Sequence, residues 1–312
     1  MEKMDGYVPY PPKVFRIEPS GACNLKCIHC PTGCVPMKRG IMPLGTFQKI
    51  LKEIEDAPPK VAVLYHGGDP FLNKNIFDMI KSIKALGVQT VKTVSNGMLI
   101  TYEMLPKILE SGLDIIEFSL DGSNPNENNK IRCGSDYSKV SSIIKELLKL
   151  KEDTKSQIDI FIANIQIPTE KELYETKGQA NVPIYLLEDF SEWKKIIKFK
   201  CFYPIIWPDY PVDEAKYKIV VLAFNTTVTT VDSLYCDHVH NTITIRWTGD
   251  VVGCCYDIIS SFVLGNIFDS PLKEIWNNEK YRLLRKSICT NKFLSMCKYC
   301  GEVNPPTFFV RR

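Results

Sequence analysis

The cysteines carry the first chemical signal in this sequence. Residues 23 to 34 read CNLKCIHCPTGC, four thiols within twelve residues, and the chain holds twelve cysteines in all. The N-terminus, MEKMDGYVPYPPKVF, lacks a charged n-region followed by an apolar stretch. A cytoplasmic protein is therefore expected, and in a reducing compartment clustered thiols point to metal or cluster binding rather than disulfides. Cys23, Cys27 and Cys30 form C-x3-C-x2-C directly after the first expected strand. Three thiolates are an incomplete shell for structural zinc, whereas an iron–sulfur cluster held by three leaves one iron open to a small molecule. Spacing alone does not choose between these.

A second set lies toward the other end, with Cys236 and Cys254 followed by C-x2-C at Cys297 and Cys300, and with Gly249 five residues before Cys254. Paired cysteines separated by a hairpin suit tetrahedral zinc as well as a cluster, and His238 and His240 beside Cys236 would serve as ligands in the zinc reading. Cys34, Cys133, Cys201 and Cys289 fit neither set and are expected to be packing residues, with Cys34 a bystander next to the first site.

The elements that must position these thiols follow from periodicity. From residue 13 to about 165, β-rich segments (KVFRIEP, KVAVLYH, QTVKTVSNG, DIIEFSLDG, QIDIFIANIQ) alternate with amphipathic ones (PLGTFQKILKEIEDA, NKNIFDMIKSIKALG, TYEMLPKILESG, DYSKVSSIIKELLKLKED). Apolar residues recur at i, i+3 and i+4 in the latter, and Gly87 and Gly112 punctuate two ends. Repeated βα units predict a parallel α/β sheet or barrel, with YLLEDFSEWKKIIK and KFKCFY adding a sixth unit. The first cysteine set then lies at the C-terminal end of a strand, where barrels keep their chemistry.

From Pro204 the pattern changes. YPIIWPDYP reads as a linker, NTITIRW-TGD-VVGCCYD as a β-hairpin, and SPLKEIWNNEKYRLLRKSI as a helix starting near Pro271 with a serine N-cap. The expected division is a barrel over 1–203, a linker over 204–235 and a small hairpin-plus-helix domain over 236–312.

Composition limits the partners. A net charge of +3 is spread over 39 basic and 36 acidic residues with no long basic block, which argues against a nucleic-acid surface. The longest apolar run, Ile219 to Phe224, is far below the ~18 residues that cross a bilayer and reads as a buried strand.

C-x3-C-x2-C after the first strand resembles the radical S-adenosylmethionine (radical SAM) enzymes, and further segments match in order. YHGGDP (Tyr65 to Pro70) is similar to their Gly-Gly-Glu-Pro segment, with Asp69 in place of the usual Glu; VSNG (Val94 to Gly97) and FSLDG (Phe118 to Gly122) are similar to their TNG and SLDG segments. The resemblance implies a partial (β/α)6 TIM-like barrel. It also implies a [4Fe-4S] cluster on Cys23, Cys27 and Cys30, whose open iron binds the amino and carboxylate groups of SAM. His29 would pack against adenine, the Gly67–Gly68–Asp69 backbone would hold the amino group, Ser95, Ser119 and Arg132 would contact ribose and carboxylate, and Asn96 and Asp121 would also bind the cofactor. An external donor such as flavodoxin or ferredoxin would supply the electron.

Cys236, Cys254, Cys297 and Cys300, with GDVVGCCYD, VLGNI and LKEIWNNEKYRLLRK, resemble the SPASM and Twitch extensions of that family. Four cysteines rather than seven favour the Twitch form, which implies one auxiliary [4Fe-4S] cluster. The implied activity is hydrogen abstraction from a small polar substrate of cyclitol or amino-sugar type, oxidising an alcohol to a ketone. Three alternatives stay open: an epimerase with Cys255 as hydrogen donor, a ribosomal-peptide maturase, and a zinc-stabilised binding module without enzymatic activity. Tyr65, His66, Arg246 and Asp257 are further polar candidates near the motifs.

Overall fold

The structure is a computed structural model and describes residues 5–167, 170–176, 179–203, 235–298, 300 and 303. The expected linker and the apolar run at 219–224 lie almost entirely outside these residues.

Strands and helices alternate as β1 (Val14–Ile17), α1 (Pro31–Cys34), α2 (Leu44–Ile54), β2 (Val61–Val63), α3 (Ile76–Ala85), β3 (Thr90–Ser95), α4 (Leu105–Glu110), β4 (Ile115–Ser119), α5 (Pro125–Ile131), α6 (Tyr137–Thr154), β5 (Asp159–Ile165), α7 (Glu170–Thr176), α8 (Ile184–Asp189) and β6 (Ile197–Phe202). Each of these strands pairs in parallel with the next, as the alternation of β-rich and amphipathic segments requires. This is the expected six-stranded open barrel. Helix α6 shows how the covering layer is built. Val140, Ile143, Ile144, Leu147 and Leu148 are buried at helical spacing, and Asp136 caps the N-terminus by accepting from the amides of Ser138 and Lys139.

Alternation within the strands separates two faces. In β3, Val91 and Thr93 are buried under the helices, Lys92 and Val94 face the partly open lumen, and Ser95 at the strand end joins the cavity wall. Arg16, Glu117, Phe161 and Lys200 occupy lumen positions on β1, β4, β5 and β6.

The C-terminal region comprises α9 (Asp237–His240), β7 (Thr242–Ile245), β8 (Asp250–Val252), β9 (Val263–Asn266), α10 (Leu272–Ile275) and α11 (Glu279–Cys289). The expected hairpin is present as antiparallel β7–β8, and β9 adds a third antiparallel strand. β7 also pairs in parallel with β1, from Val14 opposite Thr242 to Ile17 opposite Ile245, so one nine-stranded sheet runs across the expected domain division. One hydrophobic cluster likewise includes Ile17 and Ile116 together with Cys236, Cys254 and Cys297. No helix among the described residues is long and apolar enough to cross a membrane.

Two sequence expectations need correction here. The single helix from Pro271 is two helices. Pro271, not a serine, sits at the first cap position and makes no side-chain bond, and Asn278 restarts the chain by accepting from the Tyr281 amide at 2.9 Å. The break has a tertiary cause, because Asn277 turns its amide onto the N-terminal segment, bonding Val8 N at 3.0 Å and Val8 O at 2.8 Å. The segment YLLEDFSEWKKIIK is also shorter than expected, with α8 ending at Asp189 and a single 3-10 turn following.

The β1–β7 seam is fastened by Glu18, which is fully buried. Its amide donates to Ile245 O at 2.9 Å. Its carboxylate accepts from Arg246 Nε at 3.2 Å, Trp247 N at 3.1 Å and Gly67 N at 2.9 Å. Trp247 lies flat against the first cysteine loop: a Cβ on Gly21 would come 2.4 Å from its ring, and one on Gly40 would come 2.5 Å. Glu18→Gln strands the buried Arg246 charge, and removing one partner of a buried pair costs about 3–5 kcal/mol. Urea denaturation of the cluster-loaded protein is expected to show that loss, and Glu18→Gln/Arg246→Met to recover part of it; additive losses would show that the two side chains act independently.

Candidate active site

A cavity of about 290 Å³ opens at the C-terminal ends of the barrel strands. Cys23, Cys27 and Cys30 line it, and so do His29, Gly67, Gly68, Asp69, Ser95, Asn96, Ser119, Asp121 and Arg132. The sequence-derived residues around the first cysteine set are therefore gathered at one place. They come from the loops after β1, β2, β3 and β4 and from the end of α5.

Burial pushes the Cys27 thiol up to about 12, helped by the neighbouring Cys30, Asp121 and Cys23. Cys23 is raised by burial too, and by Asp69 and Cys30. Buried thiols such as Cys23 and Cys27 need a cationic centre to be held as thiolates, which is what an iron–sulfur cluster supplies. The donor set fits such a group.

The surrounding side chains are already committed to shaping the loops. Asp69 accepts from Phe71 N at 3.0 Å, Ser95 Oγ at 2.9 Å and Asn96 N at 2.9 Å, so the Asp that stands for Glu ties the second loop to the third. A Cβ on Gly68 would meet Ala22 O at 2.1 Å, so only glycine lets this segment lie against the cysteine loop. Asp121 binds Arg132 Nη1 at 2.7 Å and accepts from Ile165 N at 2.9 Å, and His29 Nε2 stands 3.9 Å from the same carboxylate. Arg132 Nε is buried with no hydrogen-bond partner, a donor left over for a bound molecule. Asn96 reaches Asn24 at 2.8 Å and Cys23 Sγ at 3.7 Å.

The second cysteine set also comes together. Cys236, Cys254 and Cys297 are buried, and Cys300 packs against the same cluster. Burial pushes Cys236 up to about 12 and Cys254 well above its ordinary value, and Cys255 and Cys300 add to both shifts by proximity. Cys254 and Cys255 do not alternate on a strand as expected: β8 ends at Val252 and both lie in the turn after it, so the two-face argument for Cys255 fails. Cys255 Sγ lies 3.5 Å from His238 Nδ1, and Cys255 is not among the residues lining the cavity. His240 Nδ1 is 2.8 Å from Cys236 O, a local contact. Among the described residues no group of three or more His, Cys, Asp or Glu is arranged to hold a single metal ion.

Cys34 stands behind the first set with its Sγ 3.6 Å from Cys27 O, Cys133 is exposed, and Cys201 and Cys289 lie on β6 and α11. Sequence reasoning missed Glu18 and the lumen charges Arg16, Lys92, Glu117 and Lys200. A signal existed for them, because VFRIE, TVKTVS, IIEFS and IKFKCF each place a charged residue at alternate positions of an otherwise β-rich run.

The chain matches the Radical SAM superfamily over residues 17–166 and the SPASM iron-sulfur cluster-binding domain over residues 236–301. It is 26% identical over 325 residues to a tungsten-containing aldehyde ferredoxin oxidoreductase cofactor-modifying protein of Pyrococcus furiosus, covering 93% of this chain and 87% of that one. It is 25% identical to the mycofactocin maturase MftC of Mycolicibacterium smegmatis, covering 90% and 73%. A GTP 3',8-cyclase of Alkaliphilus metalliredigens is 31% identical over 44% of this chain and 43% of its own. Among solved structures, anSMEcpe with bound AdoMet superposes with a TM-score of 0.61 at 16% identity, covering 95% and 92%. BtrN in complex with AdoMet and 2-DOIA superposes with 0.58 at 14% identity, covering 94% of each chain. These two likenesses concern the fold. The SPASM match replaces the zinc reading of the second cysteine set, and the Radical SAM match over residues 17–166 makes the barrel region a radical SAM domain with SAM and a [4Fe-4S] cluster, joined to a SPASM domain with auxiliary iron–sulfur binding.

Proposed function

We propose that this radical SAM enzyme takes a hydrogen atom from an alcohol carbon of a small polar substrate in the barrel lumen and delivers a ketone. The observation that carries this reading is the adjacency of lumen and auxiliary site: Arg16 lies within electrostatic range of both Cys254 and Cys255 while its guanidinium lies over the lumen residue Tyr65. When bound, SAM and its cluster supply a 5'-deoxyadenosyl radical, and the auxiliary cluster supplies an acceptor for the electron the oxidised substrate releases. Cys23, Cys27 and Cys30 are assigned to the first cluster, and Cys236, Cys254, Cys297 and Cys300 to the auxiliary one.

The chain's own residues orient the cofactor and take the proton. Arg132, fixed by Asp121, offers its buried Nε to a carboxylate, while Gly67, Gly68 and Asp69 hold the wall against which SAM lies. His66 lines the same cavity. Burial lowers its pKa to about 4, so it is neutral at neutral pH, and neither ring nitrogen has a hydrogen-bond partner. It is assigned as acceptor of the hydroxyl proton. In this reading His66 would hold the hydroxyl proton, while the bound groups would supply the acceptors for the hydrogen atom and the remaining electron.

A second reading, modification of a peptide or of another enzyme's cofactor, is favoured by the cofactor-modifying and maturase relatives, which this chain matches over most of its length. The strand-alternation argument for Cys255 does not hold at this turn, and the epimerase remains an alternative because Cys255 lies within electrostatic range of the lumen residue Arg16. Anaerobic incubation with SAM, a flavodoxin or ferredoxin system, and candidate polyols, amino sugars and peptides distinguishes these: a ketone supports the first reading, a modified peptide the second. In deuterated water, Cys255→Ala is expected to turn over unchanged; loss of a solvent deuterium at an inverted carbon would favour the epimerase.

Two further outcomes test the cysteine assignments. Cys27→Ala is expected to abolish 5'-deoxyadenosine formation, because a three-thiolate shell has no spare ligand, and normal iron content with normal SAM cleavage would refute it. Wild type is expected to carry about eight irons per chain and a quadruple Ala variant at Cys236, Cys254, Cys297 and Cys300 about four; zinc at the second site would overturn the auxiliary assignment.

A further inference from the structure

The lumen below the cavity holds more positive charge than its own residues answer. Lys92 Nζ lies 2.6 Å from Glu117 Oε1, and Lys200 Nζ pairs with the same oxygen. Arg16, on the strand next to β2, has no carboxylate within ion-pair distance among the described residues; its guanidinium lies 4.9 Å from the centre of the Tyr65 ring. Lys92 is 5.9 Å from that ring and Lys200 is 4.3 Å from the Phe161 ring. Three cations thus share one carboxylate and two aromatic faces. The remaining lumen pair, Lys198 with Asp159 at 2.6 Å, closes its own charge.

Such an arrangement is costly without a ligand. A cation over a ring gains less than a charge-assisted hydrogen bond combined with full ion pairing would return to a partly desolvated guanidinium. Arg16 hydrogen-bonds the Tyr65 side chain, yet not every donor is spent. Arg16 Nε is buried without a hydrogen-bond partner, and so are both ring nitrogens of His66, whose side chain is more than nine-tenths buried in the wall shared with Tyr65 and Glu117. Unpartnered buried polar atoms at the edge of a cationic lumen ask for an acceptor that the chain itself does not provide.

We propose that the substrate carries an anionic group, a carboxylate or a phosphate, that seats in the lumen on Arg16, Lys92 and Lys200. This rests on the lumen being the substrate site, as in the proposed function, and it adds the substrate's charge. Glu117 draws both ammoniums to one carboxylate oxygen, so the anion is received by Arg16 and by the remaining donors of the two lysines. The uncharged end of the substrate then points toward the cysteine-lined cavity, which places the anion away from the reacting carbon.

The test is calorimetric titration of the cluster-loaded, SAM-bound protein with inorganic phosphate and, separately, with succinate, at low and constant ionic strength. Wild type is expected to bind at least one of them saturably, phosphate preference indicating a phosphoryl group and succinate preference a carboxylate. Arg16→Gln and Lys200→Gln are each expected to weaken binding about tenfold, the size of one charge-assisted contact. Arg16→Lys is expected to recover part of that loss, and Lys194→Gln, on the exposed surface, to change nothing. Iron content and melting temperature identify the folded variants; Lys200, on the edge strand, supplies the test if Arg16→Gln fails to fold. No saturable binding, or binding indifferent to Arg16 and Lys200, overturns the proposal. SAM cleavage by the same wild-type preparation is scored separately. Anion binding without cleavage therefore removes the proposed activity and leaves the anion site, and the converse removes the anion site alone.

Discussion

One buried carboxylate joins three parts of this molecule that are far apart in sequence. Glu18 ends the first barrel strand, receives the Arg246 guanidinium and the Trp247 amide from the C-terminal hairpin, and takes the Gly67 amide from the loop that walls the SAM cavity. A charge with no water around it is tolerable only when every lone pair is answered, so the three segments must arrive together. The parallel pairing of β7 with β1 brings them there. The radical SAM barrel and the SPASM region are therefore built on one sheet, and the lumen is shared between them.

The same logic repeats at smaller scale around the cavity. Asp69 and Asp121 each spend their carboxylate on neighbouring loops, which leaves backbone groups, Arg132 Nε and the thiols as the features presented to a bound molecule. The loops are fixed relative to one another before anything binds, so little ordering cost falls on the cofactor.

How much of this could be read in the sequence differed by kind of residue. The thiols and the strand-end motifs were legible because cluster and cofactor chemistry demands particular residue types at particular spacings. The six βα units were legible because helix and strand leave different periods. The partners of Glu18 were not, since Arg246 lies 228 residues away and nothing local marks the pairing. The same holds for the parallel joining of β7 to β1, and for the break before α11, which comes from Asn277 meeting Val8. Cys254 and Cys255 were misread because a turn begins two residues earlier than the hydrophobic pattern suggests. The lumen charges were visible as alternation, but their meaning depends on which side chains the barrel closes them against.

Trp247 gives the two cysteine sites a common fate. Its ring rests on Gly21 and Gly40 beside the first cysteine loop, and its amide is fixed by Glu18, while the hairpin it belongs to runs on into the turn that carries Cys254. Displacing that one ring would therefore disturb both cysteine sites at once, the first through its packing against the loop and the second through the hairpin.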